Sequence, residues 1–197
     1  MLKASMLTLG DYQVNCYILY EEDSKTCCVV DPGYEPDRIA DKLRELGLRL
    51  EAILLTHGHF DHVGAVRDLA ADTDCAVYLN PKDLSLPPQL TAGPLYYTHT
   101  YGEGDTLHLA GLTFSVMETP GHTPGSVCLT CQDALISGDT LFAGSCGRWD
   151  LPGGDPQAIK VSLARLAKLP DSFWVLPGHG ETTTLSAEKK YNPYLGR

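Results

Sequence analysis

Between Thr56 and His62 the chain reads Thr-His-Gly-His-Phe-Asp-His, which puts three imidazoles and one carboxylate within six positions. Imidazole and carboxylate are the ligand types of first-row divalent metals, and the small Gly58 between two of the histidines lets the backbone turn tightly. Further along, Gly121-His122, Gly138-Asp139 and Gly178-His179 each place one more donor beside a glycine, just past an apolar run. A lone histidine is more often a hydrogen-bonded core or surface residue than a ligand. Here five of the seven histidines share matching contexts, leaving His99 and His108 as bystanders. A donor set without thiolate suits zinc, with iron or manganese as alternatives. A catalytic metal of this kind lowers the pKa of its water to about 7 and polarises a carbonyl, so no protein serine or cysteine nucleophile is needed.

Such donors need a scaffold that ends several strands in one place. Alternating apolar residues predict strands near Met6 to Leu9, Val14 to Tyr20 and Thr26 to Asp31, arranged as a meander. Pro36 suits a first helical turn, and Ile39, Leu43 and Leu46 recur at helical spacing before Gly47. The buried run Leu50 to Leu55 delivers the Thr56–His62 cluster to a loop, and a second helix carrying Val66 and Leu69 is expected to start near His62. The second half repeats this order. Strands are expected near Thr106 to Leu109, Leu112 to Glu118, Val127 to Thr130, Ala134 to Ser137 and Phe173 to Leu176. Asp155-Pro156 caps a helix through Ile159, Leu163 and Leu166. The proline-bearing stretch 80–105 reads as a long crossover loop bordering the site. Strands first and a covering helix later, in both halves, predict an α/β sandwich of two sheets faced by helices.

At 197 residues the chain is expected to be a single domain, 1–197. With 15 basic against 25 acidic residues it lacks the footprint of a nucleic-acid binder. Neither a membrane-spanning apolar run nor a signal peptide is legible, so no membrane partner is expected. Seven cysteines, including the adjacent Cys27-Cys28, fit reduced buried thiols rather than a disulfide framework, and the expected location is cytoplasmic. Cys128 and Cys131 lie three apart on a strand, face opposite sides of the sheet and read as core.

The ordered elements T-H-x-H-x-D-H, G-H, G-D and G-H, spread over residues 56–179, resemble the metallo-beta-lactamase superfamily. The resemblance implies a four-layer alpha-beta/beta-alpha sandwich with two divalent metals at the strand ends. By motif position, His57, His59 and His122 would hold one metal and Asp61, His62 and His179 the other. Asp139 would bridge them and, with Asp61, serve catalysis by a metal-bridging hydroxide. Asp31-Pro32-Gly33 resembles the superfamily's D-x-G element, which makes Asp31 the group that orients a ligand histidine.

Within that superfamily, Asp139 to Phe142, the loop Gly144 to Asp150, and the tail from Gly178 to Tyr194 are similar to compact glyoxalase II proteins, hydroxyacylglutathione hydrolases. This implies hydrolysis of a small-molecule thioester of the S-lactoylglutathione type. Arg148 then sits where a basic residue grips a glutathione carboxylate, or else simply pairs with Asp150. Cys146 lies in the same loop as a substrate contact or a small turn residue. Lys189 and Asn192 would replace part of the helical domain of longer relatives, although Lys189 and Lys190 also suit a solvated helix face. The alternative is a persulfide dioxygenase, whose loop resembles residues 145–150 and whose single iron would use His57, His122 and Asp139. A beta-lactamase, a lactonase, an RNA-processing nuclease and a non-catalytic metal module fit less well.

Overall fold

The computed structural model describes residues 1–195, so Gly196 and Arg197 of the expected domain lie outside the described residues. The alternating N-terminal residues form β1 (Leu2–Leu9), β2 (Val14–Glu21) and β3 (Thr26–Val30), an antiparallel meander. Helix α1 (Pro36–Leu46) begins on its proline and stops at Gly47, whose φ of 66° is the left-handed conformation that ends helices. It returns the chain to β4 (Arg49–Leu54), parallel to β3.

The expected second helix is broken into α2 (Phe60–Val63) and α3 (Val66–Thr73). Gly64 packs so tightly on the Asp31-Pro32-Gly33 turn that an added Cβ would lie 2.2 Å from the Gly33 carbonyl, and the Ala65 N–H bonds to the Pro32 carbonyl instead of a helical one. β5 (Ala76–Leu79) pairs with β4. The stretch 80–105, expected as a plain loop, holds a 3₁₀ turn at Pro81–Ser85, helix α4 (Pro88–Thr91) and strand β6 (His99–Thr100). Its prolines begin both helical pieces, and the Asn80 side chain caps the first by accepting the Lys82 N–H at 3.0 Å.

The second half supplies β7 (Thr106–Leu109), β8 (Leu112–Glu118), β9 (Val127–Cys131) and β10 (Ala134–Gly138). A two-stranded hairpin of β11 (Leu141–Phe142) and β12 (Ser145–Cys146) precedes α5 (Pro156–Leu166), where Asp155 accepts the Gln157 and Ala158 N–H groups as an N-cap. The chain ends through β13 (Trp174–Pro177), β14 (Thr183–Thr184) and α6 (Leu185–Tyr191). The sheet orders are β1-β2-β3-β4-β5-β6 and β14-β13-β10-β9-β8-β7.

Three apolar clusters fix the layering. Between the sheets, Tyr17, Leu19, Val30 and Leu54 pack with Phe114, Leu129 and Ile136. Ile39, Leu43 and Leu69 cover the outer face of the first sheet, and Ile159, Leu163 and Leu166 that of the second. The result is the four-layer alpha-beta/beta-alpha sandwich. Cys128 joins one outer cluster and Cys131 the inter-sheet one, on opposite faces as their spacing requires. All seven cysteines are unpaired and buried.

Candidate metal centre

The donors meet because parallel strands end at a shared edge. Asp31 follows β3, His57 and His59 follow β4, Asp139 follows β10 and His179 follows β13. Helix α2 carries Asp61 and His62, and the β8–β9 loop carries His122. The halves are stitched at this edge: the Asn15 N–H donates to the Gly178 carbonyl at 2.8 Å, and the Tyr17 hydroxyl to the Pro177 carbonyl at 2.7 Å. Gly178 must be glycine, since a Cβ there would lie 2.2 Å from Asp139 Oδ1 and 2.8 Å from His62 Cε1.

Three groups have their donor atoms within 4.8 Å of one another: His57/His59/His122, Asp61/His62/His179, and Asp31/His57/His62, which shares a histidine with each of the others. His59 Nδ1 is 2.9 Å from His122 Nε2, and His62 Nε2 is 3.2 Å from His179 Nε2. His179 Nε2 lies 3.3 Å from Asp61 Oδ2. A tetrahedron of metal–nitrogen bonds near 2.0 Å has edges of about 3.3 Å, so these separations fit ligands around a cation. Asp139 lies between the first two groups, with Oδ1 at 3.4 Å from His62 Nε2 and Oδ2 at 3.5 Å from His122 Nε2 and 3.7 Å from His179 Nε2. His57 Nε2 and Asp139 Oδ1 are buried with no hydrogen-bond partner among the described residues. A buried polar atom left without a partner is costly unless something such as a cation takes it up.

The far nitrogens of four of the five rings are tied down; that of His59, Nε2, is buried with no hydrogen-bond partner among the described residues. His122 Nδ1 donates to the Arg148 carbonyl at 2.7 Å and His179 Nδ1 to the Tyr12 carbonyl at 3.0 Å. The Thr56 hydroxyl donates to Asp31 Oδ2 at 2.6 Å and so accepts from His57 Nδ1 at 3.1 Å. Asp31 Oδ2 also accepts from His62 Nδ1 at 3.0 Å, the orienting contact expected of it. These tautomers, assigned from the hydrogen-bond network, turn lone pairs inward.

Charge divides the first two groups. Burial and the neighbouring imidazoles hold His57 well down, and His59 at about 4. Burial also acts to lower His62, but Asp139, Asp31 and Asp61 outweigh it and raise it to about 9. Asp61 would be raised by burial, yet the His179 hydrogen bond and the charges of His62 and His179 bring it to about 2.

Residues 9–179 match the Metallo-beta-lactamase superfamily. The chain belongs to that superfamily. Hydroxyacylglutathione hydrolase GloC of Haemophilus influenzae is 36% identical over 209 residues, covering 98% of both chains. The probable metallo-hydrolase YqgX of Bacillus subtilis is 37% identical over 210 residues, again covering 98% of both. Among solved structures, BLEG-1 B3 metallo-beta-lactamase superposes with a TM-score of 0.89 at 38% identity over 99% of each chain. TTHA1623 in a di-iron-bound form gives 0.85 at 40% over 97% of this chain and 100% of its own. ETHE1 from Myxococcus xanthus gives 0.83 at 29% over 97% and 83%. Metallo-beta-lactamase superfamily members use divalent metals, and the donor groups here fit them. Among the described residues, no helix is long and apolar enough to cross a membrane.

The superfamily cleft has a volume of about 440 Å³, and its walls include side chains that sequence spacing did not single out: Tyr12, Phe60, Leu90, Phe142 and Leu151. Phe60 is the spacer inside the histidine cluster, and its ring meets Tyr12 edge-on at 5.1 Å. Cys146 lines the cleft, and burial raises its thiol pKa. Arg148 stands on the exposed rim, where Nε and Nη2 grip Asp150 at 2.7 and 2.8 Å. Lys189 and Asn192, expected to touch substrate, do not line the cleft. The Lys189 ammonium bonds the Leu169 carbonyl and Asp171, while buried Asn192 donates to the Phe142 and Ser145 carbonyls at 3.2 and 2.9 Å. Gly58 is small for a packing reason as well: a Cβ there would lie 2.8 Å from Leu95 and 3.2 Å from Asp83.

Proposed function

We propose that the protein is a metal-dependent hydrolase of acyl-glutathione thioesters of the S-lactoylglutathione type, with zinc as the metal. The observation that supports this reading is Asp139, whose carboxylate lies within 3.4–3.7 Å of histidines of both donor groups beneath one open cleft. When bound, two divalent cations held by His57, His59 and His122 and by Asp61, His62 and His179 would supply an activated water and polarise the thioester carbonyl. Asp139 lies between the groups as their shared carboxylate. Asp61, kept ionised, faces His179 Nε2 across 3.3 Å and would hold the same cation beside it.

Among the described residues the acidic side chains lining the cleft are Asp61 and Asp139, both candidate ligands, and a thioester needs no separate acid because a thiol of pKa about 8.5 departs readily as thiolate. Tyr12, Phe60 and Phe142 surround the Asp61/His179 end and suit the acyl half. Arg148 on the rim suits a carboxylate of the glutathione half, although the substrate must then compete with Asp150. Similarity to GloC supports this reading. Similarity to ETHE1 favours a second one, persulfide dioxygenation with iron held by His57, His122 and Asp139.

A three-arm assay on metal-loaded protein separates the possibilities: S-D-lactoylglutathione without oxygen, glutathione persulfide with an oxygen electrode, and a chromogenic cephalosporin. Thiol release in the first arm, abolished by Asp139→Ala, is expected. Oxygen uptake in the second arm, or preference for the cephalosporin in the third, with no thiol released in the first, would overturn the thioesterase reading.

A further inference from the structure

We propose that Asp83 is a positioning residue for the His57/His59/His122 donor group and for the metal that group would hold. The inference rests on the metal-centre reading above, and it does not depend on which substrate is used. Asp83 sits on the 3₁₀ turn Pro81–Ser85, outside both sheets, in the stretch between the two halves of the fold. It is completely buried.

Its carboxylate reaches both ligand-bearing loops. Oδ2 accepts the Gly58 N–H at 2.7 Å and the Thr123 hydroxyl at 3.0 Å, and Oδ1 accepts the Gly125 N–H at 2.6 Å. Gly58 lies between His57 and His59, and Thr123 directly follows His122. One carboxylate therefore joins the β4–α2 loop of the first sheet to the β8–β9 loop of the second, through Gly58 and Thr123 next to donors and Gly125 three residues past His122. The surrounding backbone is shaped to it. A Cβ on Gly125 would lie 2.6 Å from Asp83 Oδ1, and one on Gly58 would lie 3.2 Å from Asp83 Cβ.

A buried carboxylate is costly, and among the described residues this one has only two backbone N–H groups and a hydroxyl as hydrogen-bond partners. Its bonds go entirely to the loops of one donor group. Asp83 touches none of Asp61, His62 and His179, whereas Asp31 bonds His62 directly. Asp31 thus braces both groups, His62 directly and His57 through the Thr56 hydroxyl, whereas the bonds of the Asp83 carboxylate serve the His57/His59/His122 group alone. Groups that orient ligands from outside typically change metal affinity by about 10–100-fold when removed.

The experiment measures cobalt(II) affinity by chelator competition in two backgrounds, His179→Ala, which leaves the His57/His59/His122 group to report, and His59→Ala, which leaves the other. Adding Asp83→Asn is expected to weaken cobalt about 10–100-fold in the first background, with an altered visible d–d spectrum, and by less than twofold in the second. Adding Asp31→Asn, which loosens both His62 and the Thr56–His57 link, should weaken cobalt in both backgrounds. Equal losses from Asp83→Asn in both backgrounds, or no loss in either, would overturn the proposal. Circular dichroism of the metal-free proteins checks folding, and Thr123→Val, which removes one of the three donors, serves as the milder variant with a smaller loss confined to the first background. Unfolding of both metal-free variants would also overturn it, by making Asp83 a general structural carboxylate. Two cobalt ions bound without thioester turnover would refute the proposed activity and leave this inference standing.

Discussion

His57 and His62 are both fully buried within one motif, yet burial does not decide their charge. His57 is surrounded mainly by other imidazoles and stays neutral, while His62 faces Asp31, Asp61 and Asp139 and titrates at about 9. At pH 7 the metal-free protein therefore carries a proton on His62 that a cation must displace. Metal affinity of the Asp61/His62/His179 group should rise about tenfold per pH unit between 7 and 9 and level off above. His57 and His59 are both held down and have no proton for a cation to displace in that range, so the other group should depend on pH less steeply. Competition with a chelator across that range, in variants retaining one group each, checks this; parallel slopes would contradict it. The sign for folding is the opposite one. His62 is raised above its unfolded value of about 6.5, so its contribution to metal-free stability is complete below pH 6.5 and lost as pH rises through 9.

Short elements shape the cleft more than the long ones do. The β11–β12 hairpin carries Phe142, Ser145 and Cys146 into the wall, and α6 holds it from behind. Glu188 Oε2 accepts the Gly144 N–H and the Asn192 amide, each at 2.8 Å, and Oε1 accepts the Thr183 hydroxyl at 2.8 Å. Asn192 thus holds the hairpin and does not itself line the cleft. Glu188→Ala should cost about 1–3 kcal/mol of stability from the donors it leaves buried, and raise KM several-fold at unchanged metal content. Thermal unfolding, metal analysis and steady-state kinetics test this together, and an unchanged KM would show that the hairpin holds its place without α6. Legibility followed length at this scale. Helices α1 and α5 matched their expected bounds because proline, apolar spacing and an end signal are local. Two-residue strands are too short to carry any alternation, and the α2–α3 break at Gly64 arises from contact with Gly33, distant in sequence.

Across the whole molecule the donors come from loops of both sheets, so bound metal would act as a clamp between halves otherwise joined by the inter-sheet core. A ligand at 100 times its Kd adds about 2.7 kcal/mol to the folded state, and in a chain of this size each kcal/mol moves Tm by about 2–4 °C. Removing each metal by chelation is therefore expected to lower Tm by about 5–10 °C, reversibly on adding it back. Scanning fluorimetry with and without chelator provides the measurement, and an unmoved Tm would argue against metal joining the halves. The same two-sheet origin explains the cleft's asymmetry, with aromatic side chains around Asp61 and His179 and Arg148 on the rim above His122.

By itself the sequence determined the candidate donors and the layered fold. Thr56 to His62 is a local pattern, the later donors each stand beside a glycine after an apolar run, and apolar periodicity is written into consecutive residues. Only the tertiary structure decided what supports those donors. Asp83 joins Gly58 to Gly125, Asn192 reaches Phe142, and Lys189 turns away to Asp171, across separations of 18 to 50 residues. Such contacts depend on how two sheets and their connecting turns pack, and no local periodicity encodes where a buried carboxylate finds its donors.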